Sequence, residues 1–388
     1  MLWIGLDEAG YGPMLGPLVV GCAIWRVPDE TPIGDCGKLF KKLTCADQPT
    51  AAWEKFSQWK AKQATAKKPS SPAAALKKLP PLWLTDSKKI HQPAAPERLE
   101  RAAWPLWEMV HGPLYRAEDA RQLWIETEVP DNPQRELFDC EDEEQCALQC
   151  SATANRQAGS SLLQEPAFLV APSPIPAAAL QPWDWHDDLR CPQHAKRVEW
   201  PESGHYRQRL ADCGITLVEL RVSVMMPSEF NRTVERVANK ATLLSHVTLG
   251  LLAEMLCRHA GEPVFIEADK HGGRDSYAGL LQQHWPDAAI TTHHESRTQS
   301  RYNFDNGVAR TIHFSARGES SLATASASLA AKSIRELAMH GFNKYWRALQ
   351  PGLRPTAGYN MDAGRFLEDT AELRRGLGVA DELLIRCR

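Results

Sequence analysis

Between residues 214 and 376, short apolar runs alternate with long helical patterns, and this alternation limits what the chain can fold into. Residues 215–224 alternate apolar and polar side chains as a half-buried strand does. Residues 228–260 read as one long helix, with Val234, Val237, Ala241, Leu244, Val247, Leu251 and Met255 on one stripe. Residues 263–269 form an apolar strand that ends in acids. A helix over 275–284, short strands at 288–292 and 311–315, and helices over 322–346 and 362–376 follow. Near the start, runs at 2–7 and 18–25 flank the turn Gly10-Tyr11-Gly12-Pro13, close enough to pair as a hairpin. Strands alternating with helices predict an α/β domain with a mixed sheet. No repeat of fixed period is visible.

Two stretches interrupt this pattern. Residues 36–81 turn to Lys, Ala, Ser and Pro, which predicts a helix or two and a flexible basic loop; order returns at 82–87, and 97–110 has helical spacing. Residues 111–205 are rich in Pro, acids, Gln, Cys and Trp and keep no period, as an insertion ordered only in part would. Charge follows the same division. Residues 38–90 carry twelve Lys/Arg against three Asp/Glu, whereas 117–165 carry three against twelve. Net charge over all 388 residues is only −3, so the protein is not a general polycation.

With 43% apolar and 24% charged residues, wholesale disorder, collagen and coiled coil are excluded. No run of about 18 apolar residues predicts a membrane span. Ten scattered cysteines without an export signal fit reduced thiols in the cytoplasm. Cys140, Cys146, Cys150, Cys191 and His194 are zinc-ligand types, but their spacings match no standard finger.

Four acids stand out by placement. Asp7 and Glu8 close the first strand, Asp269 closes the strand at 263–269, and Glu319 precedes a helix after Arg317-Gly318. One acid at a strand end is ordinarily a surface charge or a helix cap. Four that converge on one pole of a sheet repel one another unless cations neutralise them. Hard divalent ions with oxygen ligands do so, and a pair of them suits phosphodiester displacement. Glu267 shares a strand face with Asp269 and competes with it as a ligand.

The segment Asp7-Glu8-Ala9-Gly10-Tyr11-Gly12-Pro13-Met14-Leu15-Gly16-Pro17 resembles the opening signature of the type 2 ribonucleases H (ribonuclease HII), Asp-Glu-Ala-Gly-Arg-Gly-Pro, two residues, Gly-Pro. Further matches follow in the family's order. They are Thr85-Asp86-Ser87-Lys88-Lys89, then Glu229-Phe230-Asn231 with Ala241-Thr242-Leu243-Leu244, then Val264 to Asp269 with Gly272 and Tyr277. Ala325-Ser326-Ala327-Ser328-Leu329-Ala330-Ala331-Lys332 with Arg335 and Ala357-Gly358-Tyr359 complete them. The matches cover 1–26, 82–110 and about 214–376.

The resemblance implies an RNase H-like fold, a mixed five-stranded sheet flanked by helices, spanning 1–376 around the two insertions and followed by a C-terminal tail at 377–388. It implies a metal-dependent endonuclease that cuts RNA in RNA/DNA hybrids or at ribonucleotides in duplex DNA, leaving 5′-phosphate and 3′-hydroxyl ends. Asp7, Glu8, Asp269 and Glu319 would hold two Mg²⁺ or Mn²⁺ ions. Gly10, Tyr11 and Gly12 would read the ribose 2′-hydroxyl, and Tyr359 would pack on the ribose. Ser87, Lys88 and Lys332 would contact phosphates. The insertions would extend the nucleic-acid track or recruit a protein partner.

The chain departs from the family at three places. Tyr11 replaces a cation. Glu319 stands where Asp is usual, one residue nearer Lys332 than expected. The insertions have no counterpart. These departures motivate a second reading, a non-catalytic nucleic-acid binder that retains the fold.

Overall fold

The computed structural model describes residues 1–32, 35–41, 43–65, 71, 76–85, 87–112, 203–237, 239–305, 307–316 and 321–387. Glu319, Asp86, most of the acidic insertion and its Cys/His set lie outside the described residues. The strands are β1 (Leu2–Ala9), β2 (Leu18–Arg26), β3 (Thr44–Cys45), β4 (Leu82–Trp83), β5 (Thr216–Met225), β6 (Val264–Asp269), β7 (Ala289–Glu295), β8 (Gln299–Asp305) and β9 (Ala309–Ser315). The helices are α1 (Cys36–Leu39), α2 (Thr50–Ala64), α3 (Ser87–Ile90), α4 (Glu97–His111), α5 (Ser203–Ala211) and α6 (Pro227–Val237). They continue with α7 (Lys240–Arg258), α8 (Ala278–His284), α9 (Leu322–Leu349), α10 (Asn360–Asp369) and α11 (Ala371–Gly376).

One mixed sheet runs in the order β5-β2-β1-β6-β9-β8-β7. β1 pairs antiparallel with β2 and parallel with β6, and β6 pairs parallel with β9. The expected mixed sheet with flanking helices is therefore present, but among the described residues it has seven strands and not five. The hairpin β7–β8 adds two strands beyond β9.

Alternation along β1 builds the two faces. Leu2, Ile4 and Leu6 enter a core roofed by α7, whereas Trp3 and Ala9 enter the core under α9. On the α9 side, Gly5 and Gly21 let the helix backbone approach closely: an added Cβ would sit 1.9 Å from the carbonyl carbon of Ala323 and 2.3 Å from the carbonyl oxygen of Ala327, respectively. The small residues of α9, from Ala323 through Ala331, are what seat it there. α7 is long and apolar enough to span a membrane by length and composition alone, yet Leu243, Leu244, Val247, Leu251, Leu252 and Met255 are all buried in the core.

Local differences from the sequence-based expectation have local causes. The helix expected over 228–260 is two helices. Asn239 adopts extended backbone and its Oδ1 accepts the Thr242 N–H at 2.8 Å, which starts α7 afresh. The basic insertion contains the expected helices, α1 and α2, and in addition contributes to the core. Trp53 and Phe56 of α2 join the main core, and β3 pairs with β4. Residues 377–387 dock onto the body: Leu384 is buried, and the Asn231 side chain donates to the Ile385 carbonyl and accepts the Cys387 N–H.

Candidate active site

Parallel pairing brings three of the expected acids together. β1 and β6 run side by side in register, with Leu6 opposite Ala268, so Asp7 and Asp269 leave the sheet as neighbours. Each lies on the α9 face by alternation. Carboxylate oxygens of Asp7, Glu8 and Asp269 lie within 4.8 Å of one another. Asp7 is only 4% exposed, and its Oδ1 accepts the Glu8 N–H at 2.8 Å. Three hard oxygen donors at that spacing fit a divalent cation such as Mg²⁺ or Mn²⁺, and without one their charges repel. The fourth expected ligand, Glu319, falls outside the described residues.

Glu267, the competing ligand, is occupied elsewhere. Its Oε2 accepts the Trp3 Nε1–H at 2.6 Å and the Ser321 hydroxyl at 2.5 Å. It therefore ties β1 to the residue that precedes α9 and anchors the helix beside the cluster. Glu267→Ala strands both donors and should lower stability by about 2–3 kcal/mol. Urea unfolding with an unchanged m-value would measure that loss.

The expected substrate-facing residues do not all share one place. Gly10, Gly12 and Tyr359 form one surface. The N–H groups of Met14 and Leu15 donate to the Gly358 carbonyl, joining the two loops. Beneath them lies Arg335, which sequence reasoning quoted only as part of a motif. It donates to the carbonyls of Ala357 at 3.1 Å and Leu15 at 3.5 Å, and its guanidinium lies 5.9 Å from the centre of the Tyr359 ring. Gly10, at φ +89°, is packed so tightly on Arg335 that a Cβ would meet its Nε at 2.6 Å. Gly12 has nothing within 4 Å of the same position, and Tyr359 is 51% exposed, so both are open to a ligand.

Ser87, Lys88 and Lys332 behave differently from one another. Lys88 is exposed. Ser87 is buried and its hydroxyl accepts from Ser328 at 2.9 Å, so it fastens α3 to α9. Lys332 pairs with Glu336 at 2.8 Å. Burial alone would raise the Glu336 carboxyl, but Lys332 and Arg335 outweigh it and hold the group below its ordinary range.

Tyr11 turns toward the loop after β6. A Cβ on Gly272 would lie 2.9 Å from its hydroxyl. Burial and the Glu8 carboxylate push the phenol up, and Arg274 opposes them. The aromatic ring thus stands beside the acids, with Arg274 as the nearby cation. Arg274 donates to the Thr242 hydroxyl at 2.8 Å.

No protein-family model matches the chain, and no curated protein does. Among solved structures it is similar to RNase HII of Archaeoglobus fulgidus, determined in complex with PCNA, at 12% identity and TM-score 0.35 over 100% of this chain and 95% of that one. It is similar to ribonuclease H2 of Pyrococcus horikoshii OT3 at 13% identity and TM-score 0.35, covering 99% and 92%. Aquifex aeolicus RNase H3 stands at 13% identity and TM-score 0.35, covering 99% and 71%.

Proposed function

We propose that the protein is a divalent-metal-dependent endonuclease that cuts RNA in RNA/DNA hybrids or at ribonucleotides in duplex DNA, leaving 5′-phosphate and 3′-hydroxyl ends. The observation that carries this reading is the convergence of Asp7, Glu8 and Asp269 from adjacent parallel strands. The ordered sequence motifs support it, since the residues they single out at 7, 8 and 269 are the ones that converge.

Asp7, Glu8 and Asp269 would hold Mg²⁺ or Mn²⁺, with Glu319 as the fourth ligand. When bound, the ions supply charge stabilisation to the attacking and leaving oxygens of the phosphodiester. The remaining work falls to the chain itself. The open backbone at Gly12 admits a close ribose, and the Tyr359 ring, steadied over Arg335, packs against it. Discrimination for RNA then rests on the 2′-hydroxyl. Tyr11 offers a ring to stack on a sugar or base where a cation would pair with phosphate.

The test is cleavage of two labelled duplexes, one with a single ribonucleotide and one with a continuous RNA strand. Each is incubated with Mg²⁺, with Mn²⁺ and with chelator. Cleavage that the chelator abolishes, with 5′-phosphate products, supports the reading. Folded protein that binds both duplexes and cuts neither would replace it with the binding-only reading.

A further inference from the structure

The sheet continues beyond the acidic cluster, but among the described residues the helix layer does not cover it. α9 lies over β1 and β2. On β9 the residues of that same face, Thr311, His313 and Ser315, are polar and half-buried, and on β8 and β7 the face is exposed. In β8, Gln299, Arg301, Asn303 and Asp305 are exposed, whereas the alternate residues Ser300, Tyr302 and Phe304 are buried. In β7 every residue except Ile290 is exposed. Of the buried alternates, Tyr302 and Phe304 pack with Ile312 and Phe314 of β9 in the core on the other side. That packing fixes which residues face outward, because a one-residue slip would bury Arg301 and expose Tyr302.

Strand register shows what this open face presents next to the acids. Asp269 is followed across the sheet by Ser315 and then Gln299. The next row is Glu267, His313, Arg301 and His294. The third is Phe265, Thr311, Asn303 and Thr291. With strands about 4.8 Å apart, the rows extend from β6 to roughly 15 Å away at β7.

The chemistry of the face is that of a phosphodiester contact. Hydroxyls, amides, imidazoles and one guanidinium stand in fixed rows. The carboxylate of Glu295 is drawn to the inner face by the Tyr302 hydroxyl. Asp305 lies at the opposite end of β8 from Gln299, the neighbour of the acidic cluster. His313 is pushed down to about 4 by burial, Arg301 and His293, so it meets a ligand as a neutral hydrogen-bonding group. The exposed positions of β7 and β8 carry no Phe, Tyr or Trp. Contact with stacked bases is therefore not what the face offers, and contact with a sugar-phosphate backbone is.

We propose that the open face of β9-β8-β7, centred on Arg301, is a nucleic-acid backbone surface that carries the substrate duplex away from the Asp7-Glu8-Asp269 cluster. It rests on the nuclease reading for its substrate, a hybrid or ribonucleotide-containing duplex, but not for its chemistry.

The experiment compares Arg301→Glu with Arg347→Glu in the full chain. Arg347 is an exposed residue near the far end of α9, so the control carries the same change in charge. Binding of a labelled RNA/DNA hybrid is followed by anisotropy in chelator over a salt series, and cleavage kinetics are followed in Mg²⁺. Arg301→Glu should raise the hybrid Kd by about tenfold and reduce the salt slope by about one, as expected for a lost phosphate contact. KM should rise with kcat unchanged, and Arg347→Glu should match wild type. Equal behaviour of the two variants overturns the proposal. So does unchanged hybrid binding with a shift in oligomeric state for Arg301→Glu, which would assign the β7 edge to a protein strand. Hybrid binding that follows the expected pattern without any cleavage by wild type would remove the nuclease reading and leave this one standing.

Discussion

An Asp7→Asn variant should fold as wild type does and cleave RNA/DNA hybrid about a thousandfold more slowly, a loss of about 4 kcal/mol in transition-state stabilisation. Asn keeps the shape of Asp and the oxygen that accepts the Glu8 N–H, so the end of β1 is preserved. What it removes is one of three negative charges whose oxygens lie within 4.8 Å. In chelator, that relieves repulsion, and the variant should melt no lower than wild type. In Mg²⁺ the order should change. On the proposed reading, wild type should gain stability from an ion that binds only the folded state, and the variant should lose most of that gain. Thermal melting with and without Mg²⁺ therefore reads the metal site without relying on catalysis. Wild-type cleavage by the variant would sink the assignment. A variant that melts several degrees lower in chelator would show that Asp7 serves the fold.

Much of this site was legible because it is built from local signals that end at the same edge of the sheet. β1 and β6 are apolar runs that stop in acids, and parallel pairing of two such runs places the acids together. The helix expected over 322–346 is present as α9, and its close approach to the sheet shows only in the structure. Other features depend on partners that the local sequence does not name. Glu267 and Asp269 share a strand face, and only the positions of Trp3 and Ser321 show that Glu267 is engaged. Ser87 reads as a phosphate ligand until Ser328, 241 residues away, is seen to hold it. The break at Asn239 rests on a single cap within an otherwise continuous apolar stripe. The β8 strand had a readable signal in the alternation of Ser300, Tyr302 and Phe304 with Gln299, Arg301 and Asn303. Its polar composition hid it.

The largest expected effect on stability lies beneath the site, at Gly5. Gly5 pairs with Ala23 on one side and Glu267 on the other, and its open side faces α9. A methyl group there would lie 1.9 Å from the Ala323 carbonyl carbon, 2.1 Å from its oxygen and 2.3 Å from the Thr324 nitrogen. All three are backbone atoms of a helix, so no side chain can turn aside. The helix would have to withdraw by roughly 1.5 Å to restore ordinary contact, opening the core along Ala323, Ala327 and Ala331. Ordinary overpacking costs about 1–3 kcal/mol, and moving a whole helix exceeds it. Gly5→Ala should therefore lose about 4 kcal/mol or more, a large part of the 5–15 kcal/mol typical of a domain. Gly12→Ala supplies the contrast. Its Cβ would meet nothing within 4 Å, so stability should stay within about 0.5 kcal/mol of wild type. On the proposed reading cleavage should nevertheless fall, because the methyl group would occupy the space through which the ribose would approach. Chemical denaturation of the two variants separates the roles: one glycine seats the helix that flanks the acids, and the other leaves the backbone bare for a substrate. Equal stability for Gly5→Ala and wild type would mean that α9 does not sit on β1, and the frame that holds Glu267 against Ser321 would have to be redrawn.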